Sequence, residues 1–372
     1  MRMNTLGEAA VRAAKDILKR CDSCTICTKE CPLLKERGMP HELARDALVG
    51  RLDPAMPFLC SLCGLCSVAC PRKADPSGFM RLLRAEYIAS GAYPLEPFAA
   101  YLENETRLLS RNHTFLAAPP GARRGFLPGC GLSGSRPETA WKTYEMLDAT
   151  EPTAFLLACC SRPSDNAGLH SVAAGRVRGL VDRIAALGLE EVLTPCPGCR
   201  EMLRSVEPPF AVNTVYEALA PEADEREQDP DKESLDIAVQ DSCLWRLDKA
   251  VHRAVRDLVW GSGHAVSEMN HAWYRTTCCG AGGRADLAGS PLPESWRAQR
   301  LEEAGERPIA TACTGCARTL GASHPTVHVL DLYLGADPLH PPVLLQGRRA
   351  HAARLELKRR ARRHFRKLLQ DA

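Results

Sequence analysis

Eight cysteines near the N-terminus form two copies of one ligand motif. The first copy consists of Cys21, Cys24, Cys27 and Cys31, and the second of Cys60, Cys63, Cys66 and Cys70. Each reads C-x2-C-x2-C-x3-C-P, a ferredoxin pattern in which the fourth cysteine ligates the other cluster. We therefore predict one [4Fe–4S] cubane on Cys21, Cys24, Cys27 and Cys70, and a second on Cys60, Cys63, Cys66 and Cys31.

Zinc is the alternative occupant of these motifs, because tetrahedral zinc sites are also built from C-x2-C pairs. Three cysteines at this spacing followed by C-P, in two copies, are typical of ferredoxins instead. Helical patterns over 41–50 and 78–90, between and after the copies, favour an α-helical ferredoxin over the compact βαβ type.

A longer and looser repeat accounts for the other ten of the 18 cysteines. Its first copy is Cys130, Cys159, Cys160, Cys196 and Cys199, and its second is Cys243, Cys278, Cys279, Cys313 and Cys316. Each copy has a single cysteine, then an adjacent pair, then C-x2-C. The flanking segments 191–199 and 308–316 also agree, so the two copies predict two related subdomains.

Five soft thiolates on one site suit an iron–sulfur assembly better than a hard cation. An adjacent pair such as Cys278 and Cys279 fits an open cluster more easily than one cubane, and Gly280 lets the backbone approach sulfur closely. Two alternatives remain. In the first, the adjacent pairs would be structural and C-x2-C would bind zinc. In the second, Cys313 and Cys316 would form a thioredoxin-type disulfide.

Apolar periodicity supplies the elements that must hold these cysteines. It predicts helices over 6–20, 136–149, 166–187, 245–260 and 294–304, and strands over 125–128, 153–158, 191–194, 235–240 and 308–312. Alternating strands and helices predict parallel sheets, with Cys159 and Cys160 at the carboxyl end of a strand.

Composition and charge bound the remaining possibilities. The 372 residues allow two or three domains, and no signal peptide or apolar membrane span is visible, so we expect a cytoplasmic protein. Residues 221–234 are acidic and predict a linker. Residues 348–367 carry ten Lys or Arg and one Glu, which predicts a basic helix that faces solvent or a partner.

From about Lys19 to Gly335, the motif order resembles the D subunit of heterodisulfide reductase, which is equivalent to the C and B subunits fused. The resemblance is most specific over 278–283, CCGAGG. The arrangement is also similar to iron–sulfur subunits of glycolate oxidase and anaerobic glycerol-3-phosphate dehydrogenase. It implies a [4Fe–4S] cluster, noncubane in type, at one or both five-cysteine sets. The second set would be catalytic and the first would bind a cofactor.

The resemblance gives a fold of class α+α/β, with an α-helical ferredoxin domain followed by two pseudo-symmetric α/β CCG subdomains. We expect domains at 1–115, 116–220 and 235–340, and a basic C-terminal helix at 341–372. The expected function is an iron–sulfur oxidoreductase subunit that passes electrons to CCG-bound clusters for thiol–disulfide chemistry. The expected partner is a flavoprotein, a hydrogenase or a membrane quinone or cytochrome subunit, with peripheral membrane contact through the basic tail.

Departures from the family pattern favour an alternative, a relay subunit of an FAD-linked dehydrogenase or a respiratory complex. Ser161 stands where glycine is usual, and Leu244 stands where a histidine is usual. A proton donor near the last site is sought among His264, His271, His324 and His328, although each is expected to be an ordinary packed or surface histidine. No phosphate-binding loop or base-reading module is visible.

Overall fold

In the computed structural model of this chain, residues 6–225 and 233–370 are described. The N-terminal part is helical throughout, in accord with the predicted α-helical ferredoxin. Its helices are α1 (Glu8–Arg20), α2 (Ile26–Glu30), α3 (Pro32–Arg37), α4 (Pro40–Leu48), α5 (Met56–Leu59), α6 (Leu65–Val68), α7 (Pro76–Ala89) and α8 (Ala99–Leu109).

Long helices in this part frame the short helices that carry cysteines. In α1, Ala10, Ala14 and Ile17 recur at helical spacing and are buried against α4 and α7. Asp75 caps α7 by accepting a hydrogen bond from the Gly78 amide at 2.9 Å. The cysteine loops are therefore fixed by a packed scaffold rather than by their own short helices.

Two sheets follow. The first has the strands β1 (Phe115–Ala117), β2 (Arg124–Phe126), β3 (Thr153–Leu157), β4 (Glu191–Thr194) and β5 (Ala211–Thr214). The second has β6 (Asp236–Gln240), β7 (Ala265–Ser267), β8 (Ile309–Thr311) and β9 (Thr326–His328). Their orders are β1-β3-β2-β4-β5 and β7-β6-β8-β9.

The strand orders establish the pseudo-symmetry, because β3-β2-β4-β5 and β7-β6-β8-β9 have the same connectivity and are parallel throughout. The first sheet is not parallel throughout, contrary to the prediction, because β1 pairs with β3 in antiparallel orientation, with Phe115 opposite Leu157. A short strand arriving from α8 closes that edge and gives the first sheet mixed pairing. The fold is α+α/β as expected.

Helices cover both sheets and join them. The first half contains α9 (Gly129–Ser135), α10 (Pro137–Thr150), α11 (Arg162–Asn166), α12 (His170–Ala185), α13 (Pro197–Arg204) and α14 (Val215–Asp224). The second contains α15 (Lys249–Trp260), α16 (Leu292–Ala304), α17 (Thr314–Leu320) and α18 (Val329–Tyr333). Helices α14 and α15 pack on each other, and one apolar core spans both halves.

The predicted acidic linker and basic tail have partly different structures from those expected. Helix α14 runs through Pro221 to Asp224, so the linker begins as helix, while 226–232 lie outside the described residues. The tail is helix α19 (Gly347–Gln370), and it packs on α9 and α10. Leu357, Ala361 and Phe365 are buried in the common core, so only the opposite face of α19 meets solvent.

Candidate iron–sulfur centres

The first ferredoxin site lies near the surface. Cys27 has the thiols of Cys21, Cys24 and Cys70 as its neighbours. Burial is the main reason why the pKa of Cys27 rises to about 11, and the charges of these thiols add to it. Cys24 is exposed. The structure therefore brings together the four predicted ligands, including the fourth cysteine of the other motif. Sequence reasoning missed His41, whose Nδ1 is 3.5 Å from the Cys21 sulfur.

The second ferredoxin site is deeper and has the reciprocal composition. Burial, followed by Cys60, Cys63 and Cys31, raises the pKa of Cys66 well above its ordinary value. Burial raises the pKa of Cys31 to about 12. The thiolate, not the thiol, ligates metal, so loading such a site releases protons and is favoured by the charge of the metal.

The second five-cysteine set, defined here as the inner site, lies against this ferredoxin site. Burial raises the pKa of the Cys243 thiol, and among the neighbouring thiols Cys63 adds most to this effect, ahead of Cys279 and Cys313. Arg246 donates to the Cys63 carbonyl at 3.0 Å. The five cysteines come together at the carboxyl ends of β6 and β8 and the loop after β7.

Backbone contact between the inner site and the ferredoxin part is close enough to require glycine. A Cβ on Gly282 would lie 2.5 Å from the Ser61 carbonyl oxygen and 3.0 Å from the Cys278 sulfur. The Arg84 guanidinium, fully buried, donates to the carbonyls of Cys60 at 2.7 Å and of Gly283 at 2.6 Å. Burial lowers the pKa of Arg84 to about 10, so it stays charged at neutral pH.

The first five-cysteine set, defined here as the outer site, comes from the carboxyl ends of β2, β3 and β4. Its cysteines are Cys130, Cys159, Cys160, Cys196 and Cys199. A hydrogen bond from Cys159 lowers the pKa of Cys130 to about 7, with a further contribution from the charge of Arg354. Cys199 lies beside Cys160 and Cys196. The structure thus brings all five together.

A cavity of about 510 Å³ opens on the outer site. Its lining includes all five outer cysteines and, from the inner half, Ala281, Thr314 and Arg318. No inner cysteine is among the described residues that line it. The sequence assigned catalysis to the inner set. The cavity lies against the other set, because the loop after β3 faces open space and the loop after β7 faces the ferredoxin part.

Buried polar groups without protein partners surround the two sites. Among the described residues these include Ser61 Oγ and Trp245 Nε1 near the inner site, and Ser161 Oγ with two nitrogens of Arg354 near the outer site. Donors left unpaired in a protein interior are costly, so the sites fit groups that accept hydrogen bonds, as cluster sulfur does. This donor set, with five thiols each, fits an iron–sulfur cofactor.

Nowhere among the described residues, the cysteine sites included, do three Cys, His, Asp or Glu side chains converge closely enough to hold one metal ion. A cubane spreads four thiolates over several irons, so its ligands stand farther apart than those of one ion. All 18 cysteines are free thiols, and Cys313 and Cys316 form no disulfide.

Tyr216 connects the two sites and was not anticipated from the sequence. Its buried hydroxyl lies 3.2 Å from the carbonyl oxygen of Pro195 and 2.9 Å from that of Ala312. These residues immediately precede Cys196 and Cys313. The pseudo-symmetry could have indicated this position, because each C-x2-C loop presents the same carbonyl.

The four histidines considered from the sequence have ordinary roles, and none lines the cavity. His271 Nδ1 is 2.6 Å from Glu303, His324 Nε2 is 2.8 Å from the Arg307 carbonyl, and His264 and His328 are buried. His351 of α19 does line the cavity. It escaped notice because it lies in the basic tail, outside the cysteine repeats.

Comparison with known families agrees with this division of the molecule. Residues 20–75 match the 4Fe-4S dicluster domain, and residues 125–204 and 237–321 each match the cysteine-rich (CCG) domain. The chain therefore belongs to the iron–sulfur proteins that join a dicluster domain to two CCG domains, of the heterodisulfide reductase D-subunit type. These domains carry multiple [4Fe–4S] clusters.

Two curated relatives align with most of this chain. One is the B subunit of the fumarate reductase (CoM/CoB) of Methanothermobacter marburgensis, 24% identical over 339 residues. The other is an uncharacterised iron–sulfur protein of Methanocaldococcus jannaschii, 24% identical over 334 residues. Each alignment covers 80% of this chain but 66% of the relative. The chain thus spans just under two thirds of each relative, and is related to iron–sulfur proteins of oxidoreductase type.

No helix among the described residues is long and apolar enough to cross a membrane.

Proposed function

We propose that this protein carries electrons from the exposed ferredoxin site to the outer site, where they reduce a disulfide. The observation that carries the proposal is the order of the sites. The second ferredoxin site contacts the inner site through the hydrogen bond from Arg246 to the Cys63 carbonyl, and the cavity opens on the outer site. The four sites form one path, with a surface at one end and a substrate-sized space at the other.

The donor would dock at the first ferredoxin site. Cys24 is exposed there, and the Asp22–Arg72 ion pair at 2.8 Å lies beside it. Electron donors form small and transient interfaces, which such a partly polar surface suits. A flavoprotein or another iron–sulfur subunit is the class of partner that can supply single electrons.

The cavity favours an anionic disulfide as the substrate. Arg162, Arg284, Arg318 and Arg354 line it, and none of its described lining residues is acidic. Arg318 is exposed, whereas Arg162 and Arg284 are already engaged by Glu201 and Asp286. A carboxylate or sulfonate on the substrate would pair with Arg318, because a guanidinium binds such groups with two hydrogen bonds.

The reaction would be RSSR′ + 2e⁻ + 2H⁺ → RSH + R′SH. Two electrons arrive through the path, one sulfur–sulfur bond breaks, and each thiolate takes a proton. Bound clusters would supply redox chemistry and sulfur-binding iron, while the protein holds the substrate. His351 is the cavity residue whose ring nitrogens can hand over a proton.

Anaerobic metal analysis joined to a reoxidation assay tests this proposal. The protein is reduced, and loss of its reduced-cluster EPR signals is followed after adding an anionic disulfide (oxidised glutathione) or a neutral one (bis(2-hydroxyethyl) disulfide). We expect roughly 16 irons per chain, about four per cluster, and faster reoxidation by the anionic substrate. Arg318→Gln should remove most of that preference, while the exposed control Arg349→Gln should retain it.

Two results would contradict the proposal. Roughly eight irons per chain would leave a two-cluster ferredoxin. A full complement of iron with no reoxidation by either disulfide would exclude the substrate class.

A relay function is the second candidate. Ser161 and Leu244 depart from the family at the two cluster-binding loops, and this observation favours a chain that only transfers electrons. Reoxidation by a quinone or flavin acceptor, with no response to disulfides, would identify the relay.

A further inference from the structure

Arg354 is a buried cation at the outer site whose charge no described side chain balances. It is 1% exposed, although most of the other arginines of α19 are exposed to solvent. Its Nη1 donates to the neutral hydroxyl of Ser133, and its Nε and Nη2 have no partner among the described residues. Burying a charge without a counter-charge costs several kcal/mol, so this arrangement needs a negative partner.

The neighbours of Arg354 indicate that its negative partner lies at the outer site. Ser133 lies in α9, the helix that carries Cys130, and the charge of Arg354 acts on the Cys130 thiol. The other titratable groups beside it, His113, His351 and Lys358, are bases and supply no negative charge. Glu105 acts on the same thiol, but its Oε2 is engaged by Arg176 at 3.2 Å and by Ser164, and its unpaired Oε1 forms no ion pair or hydrogen bond with Arg354 among the described residues.

We propose that Arg354 donates its two free N–H groups to sulfur at the outer site and thereby makes the cluster there easier to reduce. This inference rests on the proposed cluster at that site. A cluster with thiolate ligands becomes more negative on reduction, and both a nearby cation and hydrogen bonds to sulfur favour the reduced form. Arg354 is a positioning and electrostatic residue of the basic tail, which the CCG repeats do not include.

Sulfur of the cofactor fits Arg354 better than the substrate does. With 1% of the residue exposed, its N–H groups lie below the cavity surface, beyond easy reach of a molecule arriving from solvent. Arg318 is exposed in the same cavity and is the better contact for a substrate anion. The two arginines therefore have separable effects.

Redox titration followed by EPR, without substrate, tests the proposal. Wild type, Arg354→Gln, Arg354→Lys and the exposed control Arg349→Gln are purified without oxygen and analysed for iron. We expect Arg354→Gln to shift the midpoint potential of one cluster to more negative values and to leave the ferredoxin signals unchanged. Arg354→Lys should shift it less, because lysine keeps the charge but loses the forked donors. Arg349→Gln should shift nothing.

Each result decides the question. Equal potentials in wild type and iron-loaded Arg354→Gln would overturn the proposal, as would an equal shift in Arg349→Gln. Should Arg354→Gln fail to fold or retain iron, Arg354→Lys decides, and an unchanged potential there would overturn it. Wild type without outer-site iron would instead refute the proposed function, so the two failures are distinguishable.

Discussion

At the adjacent-cysteine loop, the first half carries Ser161 and the second carries Gly280, and both residues have positive φ, 57° and 98°. A Cβ on Gly280 would lie 2.5 Å from the Pro293 carbonyl oxygen, so glycine is required there. Ser161 is fully buried, while its neighbours Cys160 and Arg162 line the cavity. The same backbone position thus faces different neighbours in the two halves.

The halves also contribute unequal apolar surface to their contacts with the ferredoxin part. Cys278, Leu292 and Trp296 of the second half are buried in the ferredoxin core. The first half places only Ala167 in that core, and its Asp165 is paired to Arg81 and lies 3.8 Å from His170. The second half has charged contacts as well, from Arg275 to Glu30 at 2.8 Å, so the halves differ in how much apolar surface they bury. Apolar packing suits a permanent electron path, whereas the ionic junction at Asp165 responds to pH and salt.

Removing equivalent cysteines from the two halves should produce the largest difference between them, in the rate at which the remaining CCG cluster is reduced. Cys279→Ala and Cys160→Ala should each lose roughly four irons per chain. Only Cys279→Ala should also slow reduction of the remaining CCG cluster, because the inner site lies between the outer site and the ferredoxin sites. Freeze-quench EPR after mixing with a reductant measures this. Equal rates in both variants would show that the outer site has its own path.

Arg84→Met should have the largest effect on stability. Among the described residues, Arg84 is the side chain that donates hydrogen bonds to the first half, the second half and the ferredoxin part at once. It donates to the carbonyls of Asn166 and Gly283 at 2.6 Å each, and to three carbonyls in the segment 57–60. Leaving these acceptors buried and unpaired should lower the free energy of unfolding by about 3 to 5 kcal/mol.

Anaerobic denaturant unfolding measures that change, with the exposed Arg12→Met as control, expected to change stability by under about 0.5 kcal/mol. A small loss in Arg84→Met would indicate that the apolar junction alone holds the domains together.

The ionic junction should make the first half sensitive to acid. Burial lowers the pKa of His170 to about 4, with Arg81 adding to the effect and Asp165 opposing it. The pKa is lower than the ordinary 6.5, so the neutral ring favours folding, and this contribution is lost as pH falls from about 6.5 towards 4. Between pH 7 and pH 5 the loss should be about 2 kcal/mol.

Comparing unfolding of wild type and His170→Gln across this range measures that contribution, since glutamine cannot titrate. The exposed His340→Gln should keep the wild-type pH dependence. Parallel pH profiles for wild type and His170→Gln would place the acid sensitivity elsewhere.

Ser161→Gly should have the smallest effect, an increase in stability of about 0.5 to 1 kcal/mol. Positive φ costs a residue with a Cβ more than glycine, and Ser161 Oγ gains no partner in compensation. The melting temperature of the loaded protein measures the change. A decrease would mean that the serine hydroxyl donates to the bound cofactor, and iron retention would then fall as well.

Much of this architecture was predictable, since cysteine spacing and strand–helix alternation are local properties of the sequence. The strand at 191–194 has the predicted bounds, and those at 153–158 and 235–240 differ by one residue. The short strand β1 and the docking of α19 were not predictable, because both depend on tertiary partners far away in sequence. Which cysteine set faces the cavity was also hidden, since the two sets have nearly the same pattern.

The Tyr216 hydroxyl lies between the loops that begin at Pro195 and Ala312. Its single proton can be donated to only one of the two carbonyls at a time, so the phenol joins the two loops by one hydrogen bond and one close polar contact. Tyr216 thus helps to set the distance that an electron must cover between the inner and the outer site.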